Sequence, residues 1–122
     1  MELEQLQNVQ NEVLTVGSIY KSPDLYIEYG RSIKSKYDFS DPATKFYYEN
    51  FELMYKTFSQ TIDETKLNTF MSQDKERLKE YRKYGGYKII DKWMNLVNID
   101  DFKNYIELVK KYSLLREYNN RG

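Results

Sequence analysis

Apolar residues recur at intervals of three and four along most of this 122-residue chain, and only two Pro and five Gly interrupt the pattern. Such spacing places apolar side chains on one face of an α-helix, whereas a strand alternates every second residue. Helix-capping pairs mark the segment breaks at Ser22-Pro23, Asp41-Pro42 and Gly85-Gly86. Residues 36–39 lack the pattern and are expected to form an irregular or extended connector. We therefore predict an all-α protein, a compact orthogonal bundle of six or seven helices.

The segment 42–59 predicts the central helix of this bundle. Its charged side chains form one narrow stripe along the helix: Lys45, Glu49, Glu52 and Lys56. Nearly every other position is apolar or aromatic, which is typical of a helix surrounded by other helices. The residues expected to fill the middle of the core are spaced by four, three and four: Tyr47, Phe51, Met54 and Phe58.

Gly17 lies within the apolar stripe of the first predicted helix, about residues 3–20. Because glycine has no side chain, a glycine on a buried helix face allows the backbone of a second helix to come close. We therefore expect a close contact between two helices at Gly17.

The composition excludes several classes of function. There is no Cys and no His, which excludes zinc fingers, disulfide frameworks and nucleophiles that need a thiol or an imidazole base. No phosphate-binding loop of the GxxxxGKS type is present. Asp63-Glu64 and Asp100-Asp101 lie where helix N-termini favour negative charge, and Glu12 and Asp24 are a further acidic pair. We expect no catalytic, cofactor-binding or metal-ligating residues, and a site made only of carboxylates is the remaining enzymatic alternative.

The N-terminal segment is acidic and amphipathic, without the basic start and continuous apolar run of a signal peptide. Nowhere does the sequence contain eighteen consecutive apolar residues, the minimum for a transmembrane helix. These features predict a cytoplasmic protein with no membrane partner.

Nineteen basic and nineteen acidic residues give no net charge, but the stretch 74–92 holds seven basic against four acidic residues. Tyr81, Tyr84 and Tyr87 are interleaved with these bases, as on surfaces that bind single-stranded nucleic acid. A solvated helix face beside aromatic core residues is the alternative interpretation. The candidate nucleic-acid contacts are Arg77, Lys79, Arg82, Lys83 and Lys88.

The last predicted helix, about residues 100–119, carries more apolar surface than one packing face requires. One face holds Phe102, Tyr105, Ile106, Val109 and Tyr112, whereas Leu114 and Tyr118 lie outside it. An apolar arc of this width predicts a second contact surface, supplied by another chain or by sequence beyond Gly122. A frayed helix end with exposed apolar side chains is the alternative. The candidate interface residues are Leu108, Tyr112, Leu114, Leu115 and Tyr118.

The order of landmarks resembles the N-terminal domain of DnaB-type replicative helicases, over about residues 10–118. Where the family has a VLG motif, this chain reads Val13-Leu14-Thr15-Val16-Gly17, with Thr and Val inserted before the glycine. The further landmarks, in order, are Pro23, Asp38-Phe39, Ile62-Asp63 and Gly85-Gly86-Tyr87. The run from Tyr105 to Arg116 resembles the family's closing "Y…VK..SLLR" helix. Greater divergence at the first motif suggests a phage protein or another distant member.

The resemblance implies a helical head over residues 1–99 and the first helix of a helical hairpin over residues 100–122. Such domains pair through their hairpins, form the collar of a hexameric ring, and receive primase and, in many systems, a helicase loader during DNA replication. ATP and Mg²⁺ then belong to a separate C-terminal ATPase domain, and DNA is contacted only through the full-length protein. The chain would be a truncated, non-catalytic domain from a bacterial cytoplasm or a phage-infected host cell.

Overall fold

The computed structural model describes residues 3–58 and 62–121, excluding the side chains of residues 3, 4, 7, 58, 120 and 121. Within these ranges there are eight α-helices, one 3-10 turn and no strand, so the predicted all-α class is confirmed. The helices are α1 (Leu3–Lys21), α2 (Asp24–Tyr29), α3 (Ser35–Asp38), α4 (Pro42–Phe58), α5 (Glu64–Ser72), α6 (Lys75–Tyr84), α7 (Gly86–Leu96) and α8 (Phe102–Arg121), with the 3-10 turn at Ile99–Asp101.

Helix α4 supplies much of the core, as its apolar circumference predicts. Tyr47, Phe51 and Met54 are completely buried, which confirms the predicted core positions, while the side chain of Phe58 lies outside the described part. Tyr20 of α1 donates a hydrogen bond to the carbonyl oxygen of Tyr47 at 2.7 Å, and its ring meets the edge of the Phe51 ring. Tyr20 and Tyr47 are thus core residues whose hydroxyl groups find backbone acceptors inside the fold, the carbonyl oxygens of Tyr47 and Gly86.

Helix α1 is the element against which α7 and α8 pack, and Gly17 sets the distance to α7. A Cβ atom added at Gly17 would lie 2.7 Å from the carbonyl oxygen of Trp93. Real Cβ atoms do not come so close to a backbone atom, so this contact requires glycine. The predicted close contact between two helices at Gly17 is confirmed.

Residues 36–39 are not the irregular connector that the sequence predicts. They belong in part to the one-turn helix α3, which brings the number of described helices to eight, one more than the upper predicted number. Asp38 explains this turn, because its carboxylate accepts a hydrogen bond from the backbone N–H of Lys34 at 2.7 Å. A carboxylate that reaches back to the amide at the N-cap satisfies one donor at the start of a helix, as the acidic residue of a capping box does.

Most predicted helix ends are confirmed. Asp63 caps α5 by accepting from the amide of Lys66. The last helix differs from the predicted start near residue 100, because Asn98 caps the separate 3-10 turn and α8 begins at Phe102. Gly85 ends α6 in the left-handed region, with a φ of 117°. Ser22 differs, since its amide continues the α1 pattern to Ser18 and the N-cap position of α2 is taken by Pro23.

Candidate functional site

Helix α8 is held to the region around α3 by three polar side chains spaced three residues apart. Lys110 Nζ lies 2.6 Å from the carboxylate of Asp38 and also donates to the carbonyl oxygen of Ser32. Ser113 Oγ donates to the carbonyl oxygen of Tyr37 at 3.0 Å. Arg116 Nη2 donates to the carbonyl oxygens of Tyr37 and Asp38, at 2.9 and 3.1 Å. These contacts determine which side of α8 faces the protein.

The carboxylate of Asp38 is the central partner in this contact. Its side chain is only 4% exposed, whereas that of Lys110 is 37% exposed. A buried charge is costly unless it is paired and hydrogen-bonded. Asp38 meets both conditions, because it accepts from Lys110 and from the amide of Lys34. Turning α8 about its axis would leave this carboxylate without its cation.

The opposite side of α8 is apolar and exposed. Four of the five predicted interface residues lie there, with exposed fractions of 38%, 67%, 42% and 75%: Leu108, Leu114, Leu115 and Tyr118. We call these four residues the α8 outer face. A groove of about 780 Å³ beside α8 is lined by Leu114, Leu115 and Tyr118 of this face, together with Ile106, Lys110 and Ser32. Leu114 and Tyr118 are therefore largely uncovered by the described part of the chain, whereas Leu108 and Leu115 are covered over more than half of their surface.

Tyr112 differs from the other four predicted interface residues. It is half-buried and lines a separate groove, together with residues of α1 and the start of α4. Its position at the margin of the inner face explains this difference, because Val109, three residues earlier, is buried against the core.

The predicted nucleic-acid residues do not form one surface. Arg77 belongs to the packing of α5 against α6: its Nη1 donates to the carbonyl oxygen of Phe70, and its guanidinium lies 4.1 Å from the Phe70 ring centroid. Lys88 is exposed on α7. The remaining three are exposed on α6, where Lys75 shares their side of the helix: Lys79, Arg82 and Lys83. We call Lys75, Lys79, Arg82 and Lys83 the α6 basic face.

The tyrosines interleaved with these bases are part of the core. Tyr81 is buried, and its hydroxyl donates to Asn68 Oδ1 at 2.6 Å. Burial, more than the nearby charge of Glu64, raises the pKa of Tyr81 to about 12, so this hydroxyl remains a proton donor at neutral pH. Tyr84 and Tyr87 are half-buried against the core. These rings therefore do not form an exposed platform for stacking bases.

The acidic pair Glu12 and Asp24 separates in the structure. Asp24 is exposed at the start of α2, whereas Glu12 is completely buried. Glu12 Oε1 accepts from the amides of Ser40 and Asp41, both at 3.0 Å, and from Thr44 Oγ1 at 2.8 Å. Glu12 Oε2 accepts from Ser40 Oγ at 2.6 Å. The carboxylate thus joins α1 to the N-terminal end of α4, where negative charge is favourable.

The described residues contain no cluster of acidic side chains able to hold a metal ion. None of the described helices combines the length and the apolar content needed to span a bilayer. No protein-family model matches the chain, and no curated protein or solved structure is detectably similar to it. Of the nine large apolar side chains that are exposed among the described residues, four lie on α8, and the α8 outer face is the candidate functional surface.

Proposed function

We propose that this chain is a non-catalytic assembly and docking module, the N-terminal domain of a DnaB-type replicative helicase. In this proposal the α8 outer face is the self-association surface, and the domain receives primase or a helicase loader during DNA replication. The observation that carries the proposal is the exposed apolar side of α8. It lies on the same helix whose sequence resembles the family's closing motif.

Two features of α8 favour a protein partner. First, Lys110, Ser113 and Arg116 are engaged on the inner side, so the apolar side chains cannot turn toward the core. Second, large apolar side chains that lie side by side on a monomer mark interaction surfaces, because their exposure to water is unfavourable.

Charge on the same surface favours a second copy of the chain. Glu107 and Lys111, which are both exposed, lie beside the apolar residues and carry opposite charges. A two-fold contact brings one surface onto itself, so each charge in one copy can meet its opposite in the other.

The double substitution Leu114→Glu and Tyr118→Glu is expected to weaken self-association at least about tenfold, because it removes two central apolar contacts and adds like charges. Sedimentation equilibrium of the wild-type chain and the double variant measures the change. Since both side chains are largely exposed, thermal stability should be nearly unchanged.

The matched control is Ile27→Glu on α2. Ile27 has the same exposed fraction as Leu114, 67%, but lies outside α8. Its replacement should leave association unchanged. A wild-type chain that is monomeric at all concentrations, and that binds neither primase nor the loader of its own replication system, would contradict the proposed function.

A second candidate function, binding of single-stranded nucleic acid, is favoured by the α6 basic face. Glu76 and Glu80 border this face and reduce its positive potential, and the neighbouring tyrosines are not free to stack. If this function operates, binding is electrostatic and weakens steeply as salt is raised.

For this second candidate, Arg82→Glu combined with Lys83→Glu is expected to lower affinity for a labelled single-stranded oligonucleotide about tenfold at low salt. The control Lys21→Glu with Lys103→Glu makes the same change in net charge at exposed positions on α1 and α8. Fluorescence anisotropy of the labelled strand is the suitable measurement, since Trp93 is only 6% exposed and is a poor reporter of surface binding. Equal losses of affinity in both double variants would mean that binding depends on net charge and not on the α6 basic face.

A further inference from the structure

Four exposed residues of the groove beside α8 are spaced symmetrically along the helix. They follow one another at intervals of three, one and three: Lys111, Leu114, Leu115 and Tyr118. Residues at this spacing share one side of an α-helix. The midpoint of the set lies between Leu114 and Leu115. Its two ends differ in chemistry, because the first residue is a cation and the last is an aromatic ring.

The direction of a second α8 helix decides which side chains meet across such a contact. In a parallel two-fold pair each residue meets its own copy. Lys111 then faces Lys111, and Glu107, one turn earlier in the same groove, faces Glu107. Like charges that are placed against each other across an interface are unfavourable. The charges of the groove therefore oppose a parallel pair.

In an antiparallel pair, residues that are equally far from the two-fold axis meet. With the axis between Leu114 and Leu115, these leucines pack against the leucines of the second copy. Lys111 and Tyr118 are equally far from this axis on opposite sides, so the ammonium of each copy lies against the ring of the other. A cation is attracted by the negative face of an aromatic ring. Antiparallel packing thus joins the apolar residues and gives each cation a ring.

We propose that two copies of this chain pack their α8 helices antiparallel, about a two-fold axis between Leu114 and Leu115, with Lys111 of each copy against Tyr118 of the other. The arrangement rests on the proposed self-association through the α8 outer face and adds the direction and register of the two helices. Tyr118 is 75% exposed and can receive the cation. Within its own chain, Lys111 Nζ lies 6.0 Å from the Tyr112 ring centroid, at the outer limit of such contacts.

A second antiparallel register is less favourable. Pairing Glu107 with Lys111 moves the two-fold axis to position 109. That axis brings Leu114 opposite Asn104, an exposed polar residue of α8. The leucine then loses its apolar partner, and the favourable free energy of burying apolar surface is reduced. The apolar residues therefore favour the axis between Leu114 and Leu115.

Disulfide cross-linking tests this arrangement, because the chain has no cysteine of its own and every disulfide must join introduced residues. The Cα atoms of a disulfide lie within about 7 Å of each other. Leu114→Cys lies beside its own copy at the axis and should form cross-linked dimers readily. Tyr118→Cys is displaced from its own copy by about 10 Å along the helix. Alone, it should cross-link at least about tenfold more slowly.

An equal mixture of Lys111→Cys and Tyr118→Cys should cross-link within about a factor of two of Leu114→Cys, because the two positions lie opposite each other and half of the pairs contain both cysteines. The matched control is Ile27→Cys on α2. Ile27 has the same exposed fraction as Leu114, 67%, but lies outside the contact. This control should cross-link no faster than Tyr118→Cys alone.

The wild-type chain provides a measurement that depends on no substitution. In an equal mixture of carbon-13-labelled and unlabelled chains, isotope-filtered NOE spectra detect contacts between copies only. The side chain of Lys111 in one copy should show NOEs to the ring of Tyr118 in the other.

Two results would overturn the antiparallel arrangement while self-association stands. The first is cross-linking of Tyr118→Cys with itself as fast as that of Leu114→Cys, which is the result expected of a parallel pair. The second is an associated wild-type chain without NOEs between Lys111 and Tyr118 of different copies. A wild-type chain that is monomeric in sedimentation at all concentrations would instead overturn self-association itself, and the arrangement with it.

Discussion

Replacing Glu12 by Ala is expected to lower the free energy of unfolding by about 3–4 kcal/mol, because each buried donor left unpaired costs about 1–3 kcal/mol. The change removes the acceptor from two backbone amides, those of Ser40 and Asp41, and from the hydroxyl of Thr44. The hydroxyl of Ser40 also loses its acceptor, whereas the hydroxyl of Thr44 still has the carbonyl oxygen of Asp41 at 3.0 Å. The favourable interaction of the carboxylate with the N-terminal end of α4 is lost as well.

Glu12→Gln separates the effect of the carboxylate from the effect of side-chain shape. The amide oxygen of Gln can accept the three hydrogen bonds that Glu12 Oε1 accepts. The amide nitrogen, however, is a donor where Glu12 Oε2 accepts from Ser40 Oγ, and Asn8 Nδ2 already donates to that same hydroxyl. Ser40 Oγ can accept from both amide nitrogens, but its own proton then has no acceptor on residue 12. We therefore expect the free energy of unfolding to fall by about 1–2 kcal/mol.

Urea denaturation of the three proteins at one pH measures this order of stability. Glu28→Ala on α2 is the control, because Glu28 is exposed and its loss should change stability by no more than about 0.5 kcal/mol. If Glu12→Ala were as stable as Glu28→Ala, the carboxylate would not be joining α1 to α4.

The helices could be predicted because their signals are local. Spacing of three and four identifies one face of one helix. Asp63 caps the start of α5 and Gly85 caps the end of α6, each through atoms three or four residues away. The contact between Glu12 and Thr44 could not be predicted in this way, because the two residues are 32 positions apart in the chain. Gly17 lies between these cases: its position indicated a close contact, but not that Trp93 supplies the other backbone.

The candidate site on α8 was predicted in part, because its exposed residues are also identified by a local signal. The helical period identifies Leu114 and Tyr118 as residues outside the packing face of α8, and both are exposed. The polar contacts on the inner side were missed, although Lys110, Ser113 and Arg116 are spaced by three and three beside the buried Val109. Such spacing of polar residues on a packing face is a signal for partners in another element, but it does not identify Asp38 as that partner.

The basic stretch shows where composition misleads. Arg77 was grouped with Lys79 and Arg82 because all three are cations within six residues of one another. The helical period places Arg77 on the side of the buried Tyr81, where its guanidinium packs on the Phe70 ring. A count of charges in a segment therefore overstates the charge that one surface presents.

Gly17→Ala is expected to destabilise the protein by about 2–3 kcal/mol, the cost of forcing an extra group into a filled contact. The added Cβ would lie 2.7 Å from the carbonyl oxygen and 2.8 Å from the carbonyl carbon of Trp93. Both are backbone atoms of α7, so no change of side-chain rotamer can relieve the contact. Helices α1 and α7 would have to move apart along the region where they pack.

The direction of the stability change in Gly17→Ala distinguishes a close helix contact from an exposed helix surface. At an exposed position inside a helix, Gly→Ala stabilises by about 1 kcal/mol, because alanine loses less backbone entropy on folding. Gln10→Ala on the exposed side of α1 is the control and should stay within about 0.5 kcal/mol of the wild-type protein. Urea denaturation followed by the fluorescence of Trp93, the single tryptophan, reports directly on the contact. A Gly17→Ala protein more stable than wild type would mean that α1 and α7 do not approach each other at this residue.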